Sequence, residues 1–515
     1  MTGIINYIRQ RKILVIFAFS LVLFITYFGI IEKLSFKING DFYAMMSTVS
    51  ACKNYLAGNF DKNVFPDALI FSPHTNVISW LITLISNLFG WQTFYIFCLI
   101  GLINIVFFIF SFDYFLASLK LNSKKRALIV ILSIIIVPTT FNINYLGDGI
   151  FTLSDILVTA FGWRLVGFSL FFIALGIILN QHQTVNWKKL LSLIAVSLLL
   201  ANISLLNYII LLSFILVYFL FQLICRQYSR DFFLIILSIL TGGILNFAIW
   251  PFYNFYYLII KSYQDFQSSP ITQTPQDYIV NSTTYYLNIL SISLLGYLAI
   301  MKEKQRFIKT VIIVSTAIIA ISLLTPILKI PLFWRFATPL KIFLIITFVK
   351  NYQMSIKNYF SATAVSLMAF LFLLYTYKML DSIKQRNDSQ LDLYNRIKQI
   401  NLSDGLILSD ERTSNVIQAI DSNKIYAIPK GHIANRQTAQ LNLEKTSRLN
   451  EILKTYDYKK INQFMIENNV RYVVINKTTP FVDTFKLISK NDFSFYPKIT
   501  QTDDLTIIKI TPIER

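Results

Sequence analysis

The sequence predicts a polytopic α-helical membrane protein of about 11 transmembrane helices, N-terminus in and C-terminus out, with a C-terminal extracytoplasmic α/β domain. Three observations predict it. Hydrophobic residues make up 55% of the 515 and charged residues only 14%, and apolar runs long enough to span a bilayer recur along most of the chain. The basic residues sort into alternate loops. After Lys378 the composition turns to that of a soluble domain.

A helix needs about 20 apolar residues to cross about 30 Å of hydrocarbon. The first such run, "KILVIFAFSLVLFITYFGII", is too long for a signal-peptide core and lacks a small-residue cleavage site after it, so it reads as a retained first span. Spans are expected at 12–31, 91–119, 127–143, 161–180, 189–206, 207–225, 231–250, 285–301, 308–328, 338–349 and 358–377. The span at 338–349 is short and extends back towards Phe333. Arg9, Arg11 and Lys12 precede the first span, and Lys120, Lys124, Lys125 and Arg126 follow the second. Lys188, Lys189, Arg226, Arg230, Lys302, Lys304, Arg306, Lys309, Lys350 and Lys357 continue the series on the same side. By the positive-inside rule that side is cytoplasmic, which puts the N-terminus in and the C-terminus out. The stretch 189–225 reads as a tight hairpin turning between Asn202 and Asn207, since one long helix would reverse every later loop.

The expected domains are therefore 1–377, a transmembrane part with a long first outer loop at 32–90, and 378–515. Within that loop "NVISWLITLISNLFG" suits an interfacial amphipathic helix, and it is short for a span. In the later outer loop, aromatic "WPFYNFYY" suits a membrane-surface belt. The carboxy-terminal region reads as strand at "DGLILSD", helix and strand in "RTSNVIQAIDSNKIYAI", helix then strand in "LNEILKTYDYKKINQFMIENNVRYVVINK", and strand at "DLTIIKI". Such alternation argues for a small α/β domain with a partly parallel sheet. It has no glycine-rich phosphate loop and no catalytic constellation.

The net charge of +20 does not point to nucleic acid, because basic residues in such a chain gather in cytoplasmic loops near anionic headgroups. Cys52, Cys98 and Cys225 are too scattered for a disulfide framework or a zinc site. The middles of the expected spans are nearly free of charge, which disfavours an ion-coupled pump. Instead, unusual charges gather at the outer interface: Asp41, Asp61, Asp67 and His74, then Asp148 and Asp155 in "NYLGDGIFTLSDIL", Arg164 in "FGWRLVGF", Lys261, and Lys329, Arg335 and Lys341 in "KIPLFWRFATPLK". A carboxylate that deprotonates an acceptor hydroxyl, beside cations that steady a leaving phosphate, is the minimal kit for displacing a lipid phosphate. Each residue also has a plainer role open to it. Asp41 can cap a helix beginning at Phe42, Arg164 and Arg335 can anchor at the interface, Asp148 and Asp155 can be loop and capping residues, and His74 can be structural.

The order of these features resembles the GT-C superfamily of membrane glycosyltransferases, which use polyprenyl-phosphate-linked sugars. "INGDFYAMMSTVSACKNYLAG" matches the position of the family's acidic motif just after the first span. "FSPHTNVISWLITLISNLFGWQTFYIFCLIGLINIVFFIF" resembles its proline-led interfacial helix before the second span, and the hairpin at 189–225 and "NFAIWPFYNF" fit the same layout. The resemblance implies an inverting transfer with Asp41 as general base, no soluble cofactor, and a polyprenyl-phosphate sugar as donor. Many members carry two adjacent acids where this chain has Asp41 followed by Phe42, so a divalent metal is left open. Arg164, Arg335, Lys341, Asp148, Asp155 and His74 are expected near the phosphate on their position. The partners implied are the lipid bilayer, the lipid-linked donor and an envelope glycan, lipid or protein acceptor. Richness in Ile, Lys, Asn and Phe suggests a bacterial plasma membrane. Two other readings stay open: a flippase for a lipid-linked glycan, and a non-catalytic envelope protein whose membrane part anchors the outer domain.

Overall fold

The computed structural model describes residues 11–32, 40–58, 76–135, 160–180, 185–226, 229–249, 303–322, 336–351, 390–400, 405–421, 436–476, 496–502 and 504–511, with a few single positions between them. Every expected span whose residues are described is helical. The helices are α1 (Lys12–Phe24, continued to Ile31 as a wider π turn), α2 (Gly40–Leu56), α3 (Val77–Phe89), α4 (Thr93–Ser118), α5 (Ser123–Ile135) and α6 (Trp163–Leu179). They continue with α7 (Trp187–Ile203), α8 (Leu205–Ile224), α9 (Arg230–Ile249), α10 (Arg306–Ser322), α11 (Ala337–Asn351) and α12 (Gln390–Ile400). After these come β1 (Leu406–Ser409), α13 (Glu411–Ile420), α14 (Arg436–Lys454), α15 (Tyr458–Glu467), β2 (Val470–Asn476), β3 (Lys498–Gln501) and β4 (Leu505–Lys509). The expected spans 285–301 and 358–377 lie almost wholly outside the described residues.

Among the described residues, three helices are long and apolar enough to cross a membrane: Lys12–Ile31, α4 and α8. The first shows what kind of protein this is. Leu14, Ala18, Leu21 and Ile25 are buried on one face, while Ile13, Ile16, Phe19 and Leu23 on the other are more than half exposed. A helix whose exposed face is as apolar as its buried one has hydrocarbon rather than water as its solvent. The chain is a membrane protein.

The elements group into two compact units. The first contains α1, α4 from Leu99 onward and α5 to α11; the second contains α2, α3, the start of α4 and everything from α12 on. The carboxy-terminal part of the second unit begins at Lys384, and the helices of the first loop group with it.

Within the first unit α4 and α6 run parallel. Asn104 donates to the carbonyls of Ala160 and Gly162, both at 3.2 Å, and further along Phe112 stacks on Phe172 at 4.4 Å. Beyond that a Cβ on Gly176 would meet the Tyr114 ring at 2.5 Å. Lipid tails give no hydrophobic drive between spanning helices, so such close packing of small and aromatic residues holds them. The chain reverses at Ser204 (φ −149°, ψ 80°), which is not helical and separates α7 from α8. Its direction follows from α9. Gly242 lies against Ile194, Ser197 and Leu198, and Asn202 donates to Asn246 at 3.2 Å, so α7 and α9 are parallel. Tyr208 donates to Ile239 at 3.1 Å, and Tyr218 meets Phe232, so α8 runs against α9. The stretch 189–225 is a hairpin.

One end of this unit is a clasp of charges. Asp113, fully buried, pairs with Arg11 at 2.8 Å and with Arg126 at 2.9 Å. Glu303, also buried, pairs with Lys350 at 2.6 Å and accepts from Asn351 at 3.1 Å, and Lys125 donates to the Lys350 carbonyl at 3.0 Å. The starts of α1, α5 and α10 and the ends of α4 and α11 therefore share a level, as alternating helices require. Basic residues from loops far apart in sequence meet there around two buried carboxylates.

The second unit holds a four-stranded mixed sheet in the order β1-β2-β4-β3. β1 and β2 are parallel, with Ser409 opposite Val474, and β4 is antiparallel to both β2 and β3. Leu408, Val473 and Ile508 from the sheet pack with Leu449, Leu453, Phe464 and Met465 from α14 and α15. Of the expected strand in "KIYAI" only Ile425 and Tyr426 are described, and Ile425 forms a parallel bridge with Ile407.

Candidate functional site

The helix that carries Asp41 is built to be held. In α2 every described side chain from Phe42 to Cys52 is buried, Ser47, Thr48 and Ser50 included. A helix buried all round is a core element rather than a loop segment. Phe42 meets Phe94 and Phe97 edge-on at 6.0 and 5.4 Å, and Tyr43 packs on Tyr394 of α12 at 6.2 Å. α2 packs extensively on α13 of the carboxy-terminal region and on α3. At its far end Asn54 Nδ2 donates to Asp421 Oδ1 at 3.0 Å.

Asp41 is the second residue of α2, because the helix begins at Gly40 rather than at the expected Phe42. The helical period puts it on the face that continues through Met45, Thr48 and Cys52. Burial pushes the Cys52 thiol up to about 12, against a hydrogen bond with Thr83 of α3 that lowers it. Tyr43 stands about 200° round the helix from Asp41. Burial first, then the Tyr394 and Asp392 charges, raise its hydroxyl far above the ordinary range, so it stays a proton donor. That hydroxyl has no hydrogen-bond partner among the described residues.

α3 is fixed by local sequence. Asn76 caps it, accepting from the amides of Ile78 and Ser79 at 3.0 and 3.1 Å, and its own amide donates to Ser79 Oγ at 2.9 Å. Gly90 ends it at φ +66°, a left-handed turn that glycine adopts without strain. The helix is amphipathic, as expected, but its buried face is the polar one. Ser79, Thr83 and Ser86 are inside with Ile82, while Leu81, Leu84 and Leu88 are exposed.

The other expected site residues are distributed as follows. Arg164 is the second residue of α6, and Lys341 lies in α11, both in the first unit, whereas Asp41 belongs to the second. The Lys341 side chain is buried and already has a partner. His74, Asp148, Asp155 and Arg335 lie outside the described residues. Among the described residues no group of three or more His, Cys, Asp or Glu could hold a metal ion.

Sequence reasoning passed over two features of this unit. Gln418 of α13 is fully buried, and neither of its amide atoms has a hydrogen-bond partner among the described residues. Lys53 Nζ donates to Ser86 Oγ at 2.6 Å and to Thr93 Oγ1 at 2.7 Å. Burial, then the nearby Lys398 charge, lower the Lys53 ammonium below the ordinary lysine range. A lysine three places from the end of an expected interfacial helix gave no signal beyond its charge.

No family model matches the chain, and no curated protein matches it. Solved structures do. A crystal structure of the Archaeoglobus fulgidus oligosaccharyltransferase in its apo form is similar at 11% identity and a TM-score of 0.48, covering 89% of this chain and 69% of that one. The archaeal oligosaccharyltransferase AglB of Archaeoglobus fulgidus, in complex with an inhibitory peptide and a dolichol-phosphate, is similar at 10% identity and a TM-score of 0.48, covering 94% and 72%.

Proposed function

We propose that this chain is a glycosyltransferase of the plasma membrane. It moves a sugar from a polyprenyl-phosphate donor to a cell-envelope acceptor at the outer face, with Asp41 as general base. The observation that carries the reading is the setting of Asp41: the first turn of a helix whose described side chains from Phe42 to Cys52 are buried and which packs on α3 and α13. Catalytic groups work from rigid supports, because a displacement of about 1 Å can cost a hundredfold in rate. A carboxylate in the first turn of a helix is favoured as the anion, the form a base needs.

In the reaction, the acceptor hydroxyl gives its proton to the Asp41 carboxylate as its oxygen attacks the anomeric carbon. The bond from that carbon to the phosphate oxygen breaks, and the electron pair leaves with the lipid phosphate. Arg164 and Arg335 are the cations proposed to steady that charge, with Lys341 as a third. Asp148, Asp155 and His74 are proposed to border the donor.

The test is a strain lacking the protein. Its envelope should lose one glycan linkage, detected by sugar analysis of envelope polymers, lipids and proteins, and regain it with the wild-type chain. An unchanged envelope inventory would remove the reading.

A further inference from the structure

At the far end of α2 from Asp41, two lysines converge on the start of α4. Lys53 Nζ donates to Ser86 Oγ and Thr93 Oγ1, and Ser86 Oγ in turn donates to the Trp91 carbonyl at 2.6 Å. Lys398 Nζ reaches the Gln92 side-chain oxygen at 3.4 Å and lies 5.8 Å from the centroid of the Tyr394 ring. An ammonium has three N–H donors. Lys53 uses two on neutral hydroxyls and Lys398 uses one on a neutral amide. No described carboxylate pairs with either, and the charge that acts on Lys53 is that of the other lysine. Two cations held together with no anion among the described residues are an incomplete arrangement.

The surroundings say what completes it. α4 is one of the helices able to cross a membrane, so its first residues lie at headgroup level. Phe89, Trp91 and Tyr95 are all at least half exposed there, the aromatic belt of an interface. The exposed Leu81, Leu84 and Leu88 of α3 carry an apolar stripe into the same place. We infer that Lys53 and Lys398, with the Thr93 hydroxyl, hold the phosphate headgroup of a membrane phospholipid whose acyl chains lie along the leucine stripe of α3. The site is about 18 Å from Asp41 along the axis of α2, at 1.5 Å per residue. It is therefore separate from the transfer site and does not rest on that reading.

The experiment uses the full chain in a neutral detergent and follows its thermal unfolding as lipid is added. Dioleoyl phosphatidylglycerol should raise the midpoint, whereas dioleoylglycerol, with the same tails and no phosphate, should not. Inorganic phosphate should require at least about tenfold more, because it lacks the apolar contact. The Lys53→Gln/Lys398→Gln chain should bind phosphatidylglycerol about tenfold more weakly, since two charge-assisted hydrogen-bonding groups are lost. Lys454→Gln, at the exposed end of α14, should bind like the wild type. If the double variant does not fold, the exposed Lys398→Gln alone should weaken binding about threefold or more. Wild-type affinity in the lysine variants, an equal response to dioleoylglycerol, or an equal affinity for free phosphate would each overturn the inference.

Discussion

Asn54 Nδ2 donates to Asp421 Oδ1 at 3.0 Å, joining residues 367 positions apart. One belongs to the helix that follows the first span, the other to the end of α13 in the carboxy-terminal region. Around that bond α2 and α13 pack along their length, so the segment bearing Asp41 and the last part of the chain fold as one unit. The bond should be measurable. A double-mutant cycle of Asn54→Ala and Asp421→Ala, read by thermal unfolding, should return a coupling of about 0.5–1.5 kcal/mol. A coupling of zero would mean that apolar packing alone joins the two segments.

The buried Asp113 is expected to matter more. Asp113→Asn leaves Arg11 and Arg126, each only about one-seventh exposed, facing each other without their anion. Removing one member of a buried ion pair costs about 3 kcal/mol or more. Folded yield and the unfolding midpoint should both fall.

The reversal at Ser204 makes a prediction that distinguishes neighbouring glycines. A Cβ at Gly242 would stand 2.5 Å from the Ile194 carbonyl oxygen and 2.9 Å from the Leu198 nitrogen, backbone atoms that cannot yield. A Cβ at Gly243 meets the hydroxyl end of the Tyr208 side chain, which can swing away. Gly242→Ala should therefore destabilise by about 1–3 kcal/mol and resist repair, whereas Gly243→Ala should be rescued by Tyr208→Leu. Equal effects at both positions, neither rescued, would contradict the packing of α9 on both arms of the hairpin.

Thiol labelling reads the topology in the natural protein. Cys52 and Cys98 are buried and Cys225, just after α8, is exposed. Cys225 lies in a loop that the positive-inside rule puts in the cytoplasm. A membrane-impermeant maleimide should leave intact cells unlabelled and label one site per chain once the membrane is opened. Labelling of intact cells would reverse the assigned orientation.

The membrane helices were legible because apolar length is a local property: 12–31 reads as one span and appears as Lys12–Ile31. The same is true of "DGLILSD", "RYVVIN" and "DLTIIKI", whose strands are buried and apolar. β3 was not legible, since Lys498–Gln501 is a short edge strand with exposed polar side chains. Nor was the partnership of α2 with α13, because contacts across hundreds of residues leave no trace in local pattern. For the site, sequence supplied Asp41 and its place after the first span. It could not show that Ser79, Thr83 and Ser86 turn inward while the leucines of α3 turn out, which follows from the membrane acting as solvent on one side.

The proposed transfer depends on Asp41, and the most direct measurement is transfer by the Asp41→Asn chain at matched abundance in the membrane. Removing a general base lowers the rate by roughly a hundredfold or more. The prediction is that the envelope linkage restored by the wild-type chain stays missing with Asp41→Asn, while Cys225 labelling and the unfolding midpoint match the wild type. Normal restoration of that linkage by Asp41→Asn would contradict the assignment and move the role of base to another carboxylate, with Asp148 and Asp155 next to test.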